Sequence, residues 1–295
     1  MTSATVPDPL ANALRAAAWM LGAIVSFTSM AVAGRAVSFE LDTFEIMLFR
    51  SLIGLAIVLV VARSFGHLHE IRARHMPLHI VRNSCHFAGQ NLWFYAITVA
   101  PLAQVFALEF TSPLWVTVLA PLVLGERLTR TRVLAALLGF LGILVVARPG
   151  AEAFSPGLVA AAIAAVCFAG SAVFTRRLTR TETITCIMFW LTVIQTVLGL
   201  GFAGFDGDIA LPSATSWPWL VLIGCAGLLA HFCLTKALSL APATVVMPID
   251  FARLPIVALV GMWVYGEVLD PIVFVGAAVI FGANYLNIRA ESRRA

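Results

Sequence analysis

The chain has 295 residues, of which 61% are hydrophobic and only 12% are charged, and its mean hydropathy is +0.96. This composition excludes a soluble globular protein, in which charged residues make up about a quarter of the chain. The net charge of +4 comes from arginines scattered between apolar stretches. Because these arginines form no basic stripe interleaved with aromatic residues on a soluble face, we expect no nucleic-acid partner.

Ten apolar stretches follow one another along the chain, each long enough or nearly long enough to cross about 30 Å of hydrocarbon as a helix. In chain order they are Leu14–Val37, Phe44–Ala62, His79–Val99, Leu102–Leu124, Val133–Ala147, Gly157–Thr175, Ile184–Phe205, Trp217–Leu240, Ala243–Tyr265 and Pro271–Ile288. We number them spans one to ten. The fifth span is short, and arginines at its ends can reach the headgroups from a short helix. The pattern predicts an all-α polytopic membrane protein.

The arginines between the spans predict the orientation in the membrane. If the N-terminus is cytoplasmic, thirteen arginines lie in inner segments and only Arg35 and Arg148 lie in outer ones. A strong excess of basic residues marks the cytoplasmic side, so we expect both termini there. The single lysine beside eighteen arginines indicates a GC-rich genome. We therefore expect a multi-pass protein of a bacterial inner membrane.

The sequence also repeats itself. A shift of 141 residues pairs Phe27 with Phe168 and stays in register, without a gap, to the end of the chain. We therefore divide the chain into residues 1–150, with spans one to five, and residues 151–295, with spans six to ten. Because five is odd, the second repeat must enter the bilayer upside down relative to the first. Inverted repeats are typical of transporters that work by alternating access.

Span three carries polar residues at steps of four, three and four, which places them on one face of a helix. They are His79, Asn83, His86 and Gln90, and we call them the polar stripe. Because polar groups facing lipid lack partners, the stripe should meet a neighbouring helix or a wet cavity. In the first case it forms hydrogen bonds between helices, and in the second it binds substrate. The second repeat offers only His231 opposite Gln90, so the two half-sites differ chemically.

Two tryptophans lie deep within spans three and seven, namely Trp93 and Trp190. Either they pack against neighbouring helices or they flank an apolar or aromatic group of a ligand. Together with the polar stripe and His231, they are the candidate substrate-binding residues.

Charged residues within the spans are a second candidate group, because charges in hydrocarbon are costly and usually functional. Glu109 and Asp250 are repeat mates on spans four and nine. From their depths we expect Glu109 to pair with Arg50, and Asp250 to pair with Lys236 or Arg253. Such pairs are either static ties between helices or gates at opposite mouths of a pathway. One of the carboxylates could instead carry a proton.

The same two spans contain prolines inside the helix, which are Pro113 and Pro121 in span four and Pro248 and Pro255 in span nine. Proline removes a helical hydrogen bond and kinks the helix. Kinks in repeat-related spans suit elements that bend in turn at each face of the membrane, although static kinks are also common in membrane helices. We treat these prolines as candidate hinges.

Two short signatures recur in both repeats, an Ala-Pro turn before spans four and nine and a Gly-Glu step that closes them. They are Ala100-Pro101, Ala241-Pro242, Gly125-Glu126 and Gly266-Glu267. With the two five-helix halves, they make nearly the whole chain resemble the EamA-type branch of the drug/metabolite transporter superfamily. The resemblance implies an inverted repeat of ten helices around a cavity lined by spans one to four and six to nine. The content of histidine, glutamine and tryptophan is similar to that of bacterial aromatic amino-acid exporters.

Other classes of function fit the sequence less well. An intramembrane aspartyl protease needs two aspartates within spans, and Asp250 is the only one. No H-E-x-x-H, G-x-S-x-G or Walker A sequence occurs, so we expect neither an enzyme nor a bound metal, nucleotide or other cofactor. The five cysteines form no C-x-x-C pair. A passive channel or lipid scramblase is an alternative from another class, and a sugar-phosphate or drug exchanger is an alternative within the same fold.

The sequence therefore predicts a secondary transporter that moves small amphiphilic metabolites by alternating access. Export of amino acids, including aromatic ones, is the most specific expectation. The expected partners are the lipid bilayer and a small-molecule substrate.

Overall fold

The computed structural model describes residues 9–99, 102–126, 129–147, 155–205 and 207–265, together with scattered positions between 275 and 286. Every regular element in these ranges is a helix. Five of the helices are long and apolar enough to cross a membrane. Since a helix satisfies its own backbone hydrogen bonds in hydrocarbon, this architecture is that of a multi-pass helical membrane protein.

The described helices follow predicted spans one to nine, with spans four and nine each divided into shorter elements. The first half contains α1 (Pro9–Val37), α2 (Thr43–Ser64), α3 (Met76–Val99), α4 (Leu102–Glu109), α5 (Ser112–Leu124) and α6 (Arg130–Ala147). The second half contains α7 (Pro156–Leu178), α8 (Ile184–Ala203), α9 (Trp217–Leu240), α10 (Ala243–Val246) and α11 (Arg253–Tyr265). Short 3-10 turns cover His67–Glu70, before α3, and Met247–Ala252, between α10 and α11.

Some of the predictions about the spans stay open. Helix α3 is long enough to cross a membrane but is not among the five helices that are also apolar enough, because the polar stripe lowers its hydropathy. Span ten is only sparsely covered, and Ala100-Pro101, Arg148 and Gly266-Glu267 lie outside the described residues. The count of ten spans and the cytoplasmic position of the termini therefore remain predictions.

Local sequence explains where several helices begin and end. Asp42 and Glu45 form a reciprocal capping box at the start of α2, with N···O distances of 2.7 and 2.9 Å. The hydroxyl of Thr183 accepts a bond from the Cys186 N–H at the start of α8, at 3.2 Å. Such caps satisfy N–H groups that have no partner within the helix. Gly125 ends α5 in the left-handed conformation, with a φ of 66°, which glycine adopts without strain.

The two halves are packed into each other through symmetry-related contacts. The most extensive helix pairs are α1 with α9 and α3 with α7, and the 141-residue shift exchanges these pairs. Helix α2 packs on its own repeat mate, α8. Small residues allow the close approach: Gly89 of α3 lies against Phe168 of α7, where an added Cβ would be 2.9 Å from the ring. Membrane helices use small residues at such contacts because lipid provides no hydrophobic drive between them.

A loop carboxylate also joins the halves. Glu40, just after α1, accepts bonds from the Ser216 hydroxyl and from the Ser213 N–H, the latter at 2.6 Å. These bonds hold the pKa of Glu40 below its ordinary value, because they favour the charged carboxylate. The first half thereby holds the start of α9 in the second half.

Spans four and nine are broken at equivalent positions. Helix α4 ends at Glu109 and α5 begins at Ser112, whereas span nine changes to a 3-10 turn over Met247–Ala252. Pro113 lies in the first turn of α5, Pro248 in the 3-10 turn and Pro255 in the first turn of α11, while Pro121 lies inside α5. Because proline has no N–H, three of these prolines fit at element starts, where an N–H would lack a partner. Their action as hinges stays a prediction.

Candidate functional site

A cavity lies between the two halves, beside both broken spans. Its empty space is about 790 Å³, counting the part open to its surroundings. The first half contributes lining residues from α1, α3 and the α4–α5 break, and the second half contributes them from α7, α9 and the 3-10 turn. A concave, mostly apolar site with a few polar groups is typical of small-molecule binding.

The wall of the cavity is aromatic and sulfur-rich. Phe27 and Phe168, which the repeat pairs with each other, both line it, as do Phe110 and Trp93. Three methionines also line it, and they are Met20, Met30 and Met247. Phenylalanine offers a flat face for a ring, and the flexible methionine side chain adapts to its outline.

The structure divides the polar stripe into two pairs. His86 and Gln90 line the cavity. His79 and Asn83 lie further along α3 and contact α8 instead: the Asn83 amide donates to the Trp190 carbonyl at 3.3 Å, and the His79 ring centroid lies 6.2 Å from that of Trp190. Binding of substrate by the stripe stays a prediction. One pair faces the cavity, and the other lies at a contact between helices.

Two histidines from different halves meet in the cavity wall. The rings of His86 and His231 lie edge to face, with centroids 4.4 Å apart and an interplanar angle of 89°. His86 Nε2 and both ring nitrogens of His231 are buried and have no hydrogen-bond partner among the described residues. Buried polar atoms without partners cost free energy. A ligand in the cavity could supply the missing hydrogen bonds.

Arg253 is the centre of a buried ion cluster at the helix breaks. Its guanidinium donates to Glu109, and also to Asp250 Oδ2 at 3.0 Å. The Trp93 indole N–H donates to the other oxygen of Glu109 at 2.6 Å. The guanidinium also lies over the rings of Phe110 and Phe27, at 4.9 and 5.5 Å from their centroids. We call Arg253, Glu109 and Asp250 the triad.

The triad corrects two expectations about ion pairs. Glu109 pairs with Arg253 and not with Arg50, whose guanidinium donates to Gln90 instead. Asp250 does pair with Arg253, one of its two expected partners. Because both carboxylates meet at one arginine, the expected arrangement of two separate pairs at opposite mouths is wrong. The pairing of Glu109 with Arg50 was expected from their similar depth in the membrane. The actual partner depends on which way each side chain points around its helix axis.

Two further candidates lie away from the cavity. Lys236 is half-buried on α9 and does not line it. Trp190 donates its indole N–H to the Arg72 carbonyl at 2.9 Å, so it holds the loop before α3. Its position favours the reading in which it packs against neighbouring elements.

Sequence reasoning missed several residues that shape the site. Phe27, Phe110 and Phe168 were not proposed as lining residues, although the pairing of Phe27 with Phe168 across the repeat was a usable signal. Gln195 of α8 was also missed, and its amide donates to the Asn83 carbonyl at 2.8 Å. Single polar residues of this kind carry no motif, so nothing in the sequence marked this one.

The fold and the site are those of a multi-pass membrane protein with a cavity between its two halves that has room for a small molecule. The chain belongs to the EamA-like transporter family, which matches residues 14–148 and 155–289, and thus to the drug/metabolite transporter superfamily. The two matched segments begin at the same offset as the sequence repeat.

Relatives with different named substrates cover most of the chain. It is 33% identical over 226 residues to the riboflavin transporter of Brucella anthropi, covering 75% of this chain and 80% of that protein. It is 27% identical over 286 residues to the S-adenosylmethionine uptake transporter of Rickettsia felis, covering 97% of this chain and 96% of that protein. It is 28% identical over 265 residues to the pseudopaline exporter of Pseudomonas aeruginosa, covering 88% of this chain and 92% of that protein.

A crystal structure of a protein with 20% identity superposes with a TM-score of 0.79 and covers 94% of this chain. At that identity the likeness shows a shared fold alone. The family and the named relatives confirm a transporter and not an enzyme. None of the three relatives is named as an amino-acid exporter, so that expectation stays a hypothesis.

Proposed function

We propose that the protein is a secondary transporter whose cavity binds a small metabolite and opens alternately to the two sides of the membrane. The observation that carries this proposal is the position of the cavity between the halves, with both broken spans in its wall. Movement of one half against the other changes access to such a cavity. Breaks in the lining helices are where walls of this kind bend.

For the substrate we propose a neutral or cationic heteroaromatic metabolite with a polar arm. The phenylalanine and methionine side chains of the wall provide faces on which a flat ring can lie. The unpaired nitrogens of His86 and His231 suit the heteroatoms at the edge of such a ring. Riboflavin and S-adenosylmethionine, for which two relatives are named, belong to this class.

The charge of the triad supports the same class. One guanidinium faces two carboxylates, so the triad is negative overall when all three groups are ionised. Asp250 Oδ1 is buried and has no hydrogen-bond partner in the described part of the chain. Such a site attracts a cationic or hydrogen-bond-donating arm and repels a phosphate. This argues against the sugar-phosphate alternative.

Export of aromatic amino acids stays a second candidate. The ammonium group of an amino acid would be attracted by Glu109 and Asp250, and its ring would fit the aromatic wall. Its carboxylate is the difficulty, because Arg253, the cation that lines the cavity, already faces two acids.

We also propose the membrane arrangement that the sequence predicts. It has ten spans in two inverted repeats, cytoplasmic termini and a location in a bacterial inner membrane. The repeat-exchanged packing of α1 on α9 and of α3 on α7 supports it.

Transport by the purified protein in liposomes tests the substrate class. We expect saturable uptake of labelled riboflavin or S-adenosylmethionine, and slower uptake of phenylalanine and tryptophan. The variant Phe27→Leu removes a ring face from the cavity and should raise KM for the heteroaromatic substrate. The matched control Phe39→Leu changes an exposed residue and should not. Saturable uptake of amino acids without uptake of either heteroaromatic compound would favour the second candidate.

A further inference from the structure

A second, smaller cavity lies beside Arg50, where α2, α8 and α9 meet. Its empty space is about 260 Å³, again counting the part open to its surroundings, and its polar lining includes Arg50, Thr192, Gln195 and His231. His231 lines both cavities. The space holds a few atoms and excludes a ring system of the size proposed for the main cavity.

The guanidinium of Arg50 is buried without a negative partner. Arg50 is 7% exposed, and it donates to the Gln90 amide oxygen and, at 3.6 Å, to Met47 Sδ. No carboxylate of the described residues lies within 4.0 Å of it, in contrast to Arg253 with its two acids. A buried charge without a counter-charge is strongly unfavourable, and within hydrocarbon it is a sign of function.

A second buried guanidinium adds to the positive charge. Arg82 of α3 is 1% exposed, and its bonds within the described ranges go to neutral groups, the Thr175 hydroxyl at 3.0 Å and the Asn83 side-chain oxygen at 2.8 Å. Asn83 in turn is bonded by Gln195, which lines the small cavity. Arg82 is thus connected through Asn83 to Gln195, on the wall of the cavity that Arg50 also lines.

Two glycines on α9 leave space for the Arg50 guanidinium and for its neighbour Ile53. A Cβ added at Gly227 would lie 2.9 Å from Arg50 Nη2, closer than side chains ordinarily approach. A Cβ at Gly224, which lines the cavity, would lie 2.7 Å from Ile53 Cγ2. The absence of a side chain at Gly227 therefore allows the charged group to lie against α9.

From this geometry we propose that the small cavity is an anion-binding site centred on Arg50, which takes one monovalent anion. The anion is either a halide such as chloride or the carboxylate of a small organic acid. Both accept hydrogen bonds from a guanidinium. Gln195 Oε1 is buried and has no partner in the described ranges, and a water shared with the anion would satisfy it. The bound anion supplies the counter-charge that the protein side chains lack.

The test measures thermal unfolding of the purified chain in detergent while sodium gluconate is replaced by sodium chloride at constant ionic strength. An anion that binds only the folded protein raises Tm. We expect a rise on the order of 3–5 °C at ten times the dissociation constant. Arg50→Gln keeps a hydrogen-bonding side chain but removes the charge, and should abolish the rise. The matched control Lys236→Gln removes a cation elsewhere and should keep it.

A parallel titration with sodium acetate distinguishes the two sources of the anion. A response to chloride alone assigns the site to an inorganic anion, and a response to acetate assigns it to a carboxylate. No response to either salt, or an unchanged response in Arg50→Gln, would overturn the proposal.

Two further measurements apply if Arg50→Gln does not fold. Gly227→Ala should displace the guanidinium and weaken the response of Tm several-fold. Crystals of the unaltered protein soaked in bromide should show an anomalous peak beside the Arg50 guanidinium, and a well-diffracting crystal without that peak would contradict the site. Neither result depends on which molecule is transported, so failure here leaves the proposed function untouched.

Discussion

At the scale of single residues, the triad has the most direct energetic consequences. Among the described residues, Arg253 is the one cationic partner of two carboxylates at the helix breaks, of which Glu109 is buried and Asp250 is partly buried. Because a buried carboxylate without a partner is costly, we expect Arg253→Gln to lower the free energy of unfolding by about 3–5 kcal/mol. Lys236→Gln, which changes a cation outside the cavity, should cost less than about 1 kcal/mol. Denaturant unfolding in detergent measures the difference, and equal losses would show that the triad does not stabilise the fold.

The shared arginine also changes what neutral variants of the acids should do. If the two carboxylates closed opposite mouths, Glu109→Gln and Asp250→Asn would expose the cavity to opposite sides. Since both hold Arg253, we expect both variants to shift access in the same direction. A cysteine placed at Ser171, in the cavity wall, and an impermeant thiol reagent added from each side report that direction. Opposite shifts would restore the two-gate hypothesis.

The divided polar stripe gives a prediction that separates binding from folding. His231→Phe keeps a ring beside Phe27 but removes both nitrogens, so we expect folded yield to hold and KM to rise about fivefold for each hydrogen bond of about 1 kcal/mol lost. Asn83→Ala should instead lower the folded yield, because it removes the side-chain bonds to α8, from the Asn83 amide to the Trp190 carbonyl and from the Gln195 amide to the Asn83 side-chain oxygen. Uptake assays normalised to folded protein test this. A normal KM for His231→Phe would remove this histidine from the site.

At the scale of elements, the two recurrent signatures are parts of one contact. Glu126, from the first Gly-Glu step, accepts bonds from the Ala243 N–H at 3.3 Å and the Thr244 hydroxyl at 3.1 Å. These residues directly follow the second Ala-Pro turn. The end of α5 is therefore joined to the start of span nine.

This contact predicts an effect of Glu126 substitutions. Glu126→Ala leaves the start of α10 without its acceptor, and we expect a loss of about 1–3 kcal/mol in the free energy of unfolding. Glu126→Gln keeps an oxygen acceptor and should lose less. Thermal unfolding of the two variants side by side checks the order. Equal losses would mean that charge, and not the acceptor, matters at this position.

The sequence predicted the elements better than their mutual contacts. The apolar runs predicted that α8 starts at Ile184 and α9 at Trp217, as the structure has them. This works because the thickness of the bilayer sets how long an apolar run must be. Prolines indicated where spans four and nine break. The partner of Glu109 was missed because a helix turns 100° per residue, so depth alone does not determine which neighbour a side chain faces. The aromatic lining was missed because phenylalanine is common in every apolar span.

At the scale of the whole molecule, the inverted repeat predicts which loops share a side. A cysteine at Asp42, between α1 and α2, and one at Asp208, between α8 and α9, should label from outside the cell. Cysteines at Arg130 and Arg180 should label only from inside. Labelling of intact cells with an impermeant thiol reagent distinguishes the sides. If Arg130 and Asp208 share a side, two inverted five-span repeats are contradicted.

The central claim is that one cavity carries a heteroaromatic metabolite alternately from each side. Counterflow in proteoliposomes tests it most directly, with unlabelled riboflavin or S-adenosylmethionine trapped inside and a trace of the same labelled compound outside. An alternating carrier reorients across the membrane faster with substrate bound than without it. We therefore predict that the trapped substrate accelerates uptake of the label and that the label inside transiently exceeds its equilibrium level. Labelled uptake that never exceeds equilibration, with either compound inside, would contradict the account and indicate a passive pore.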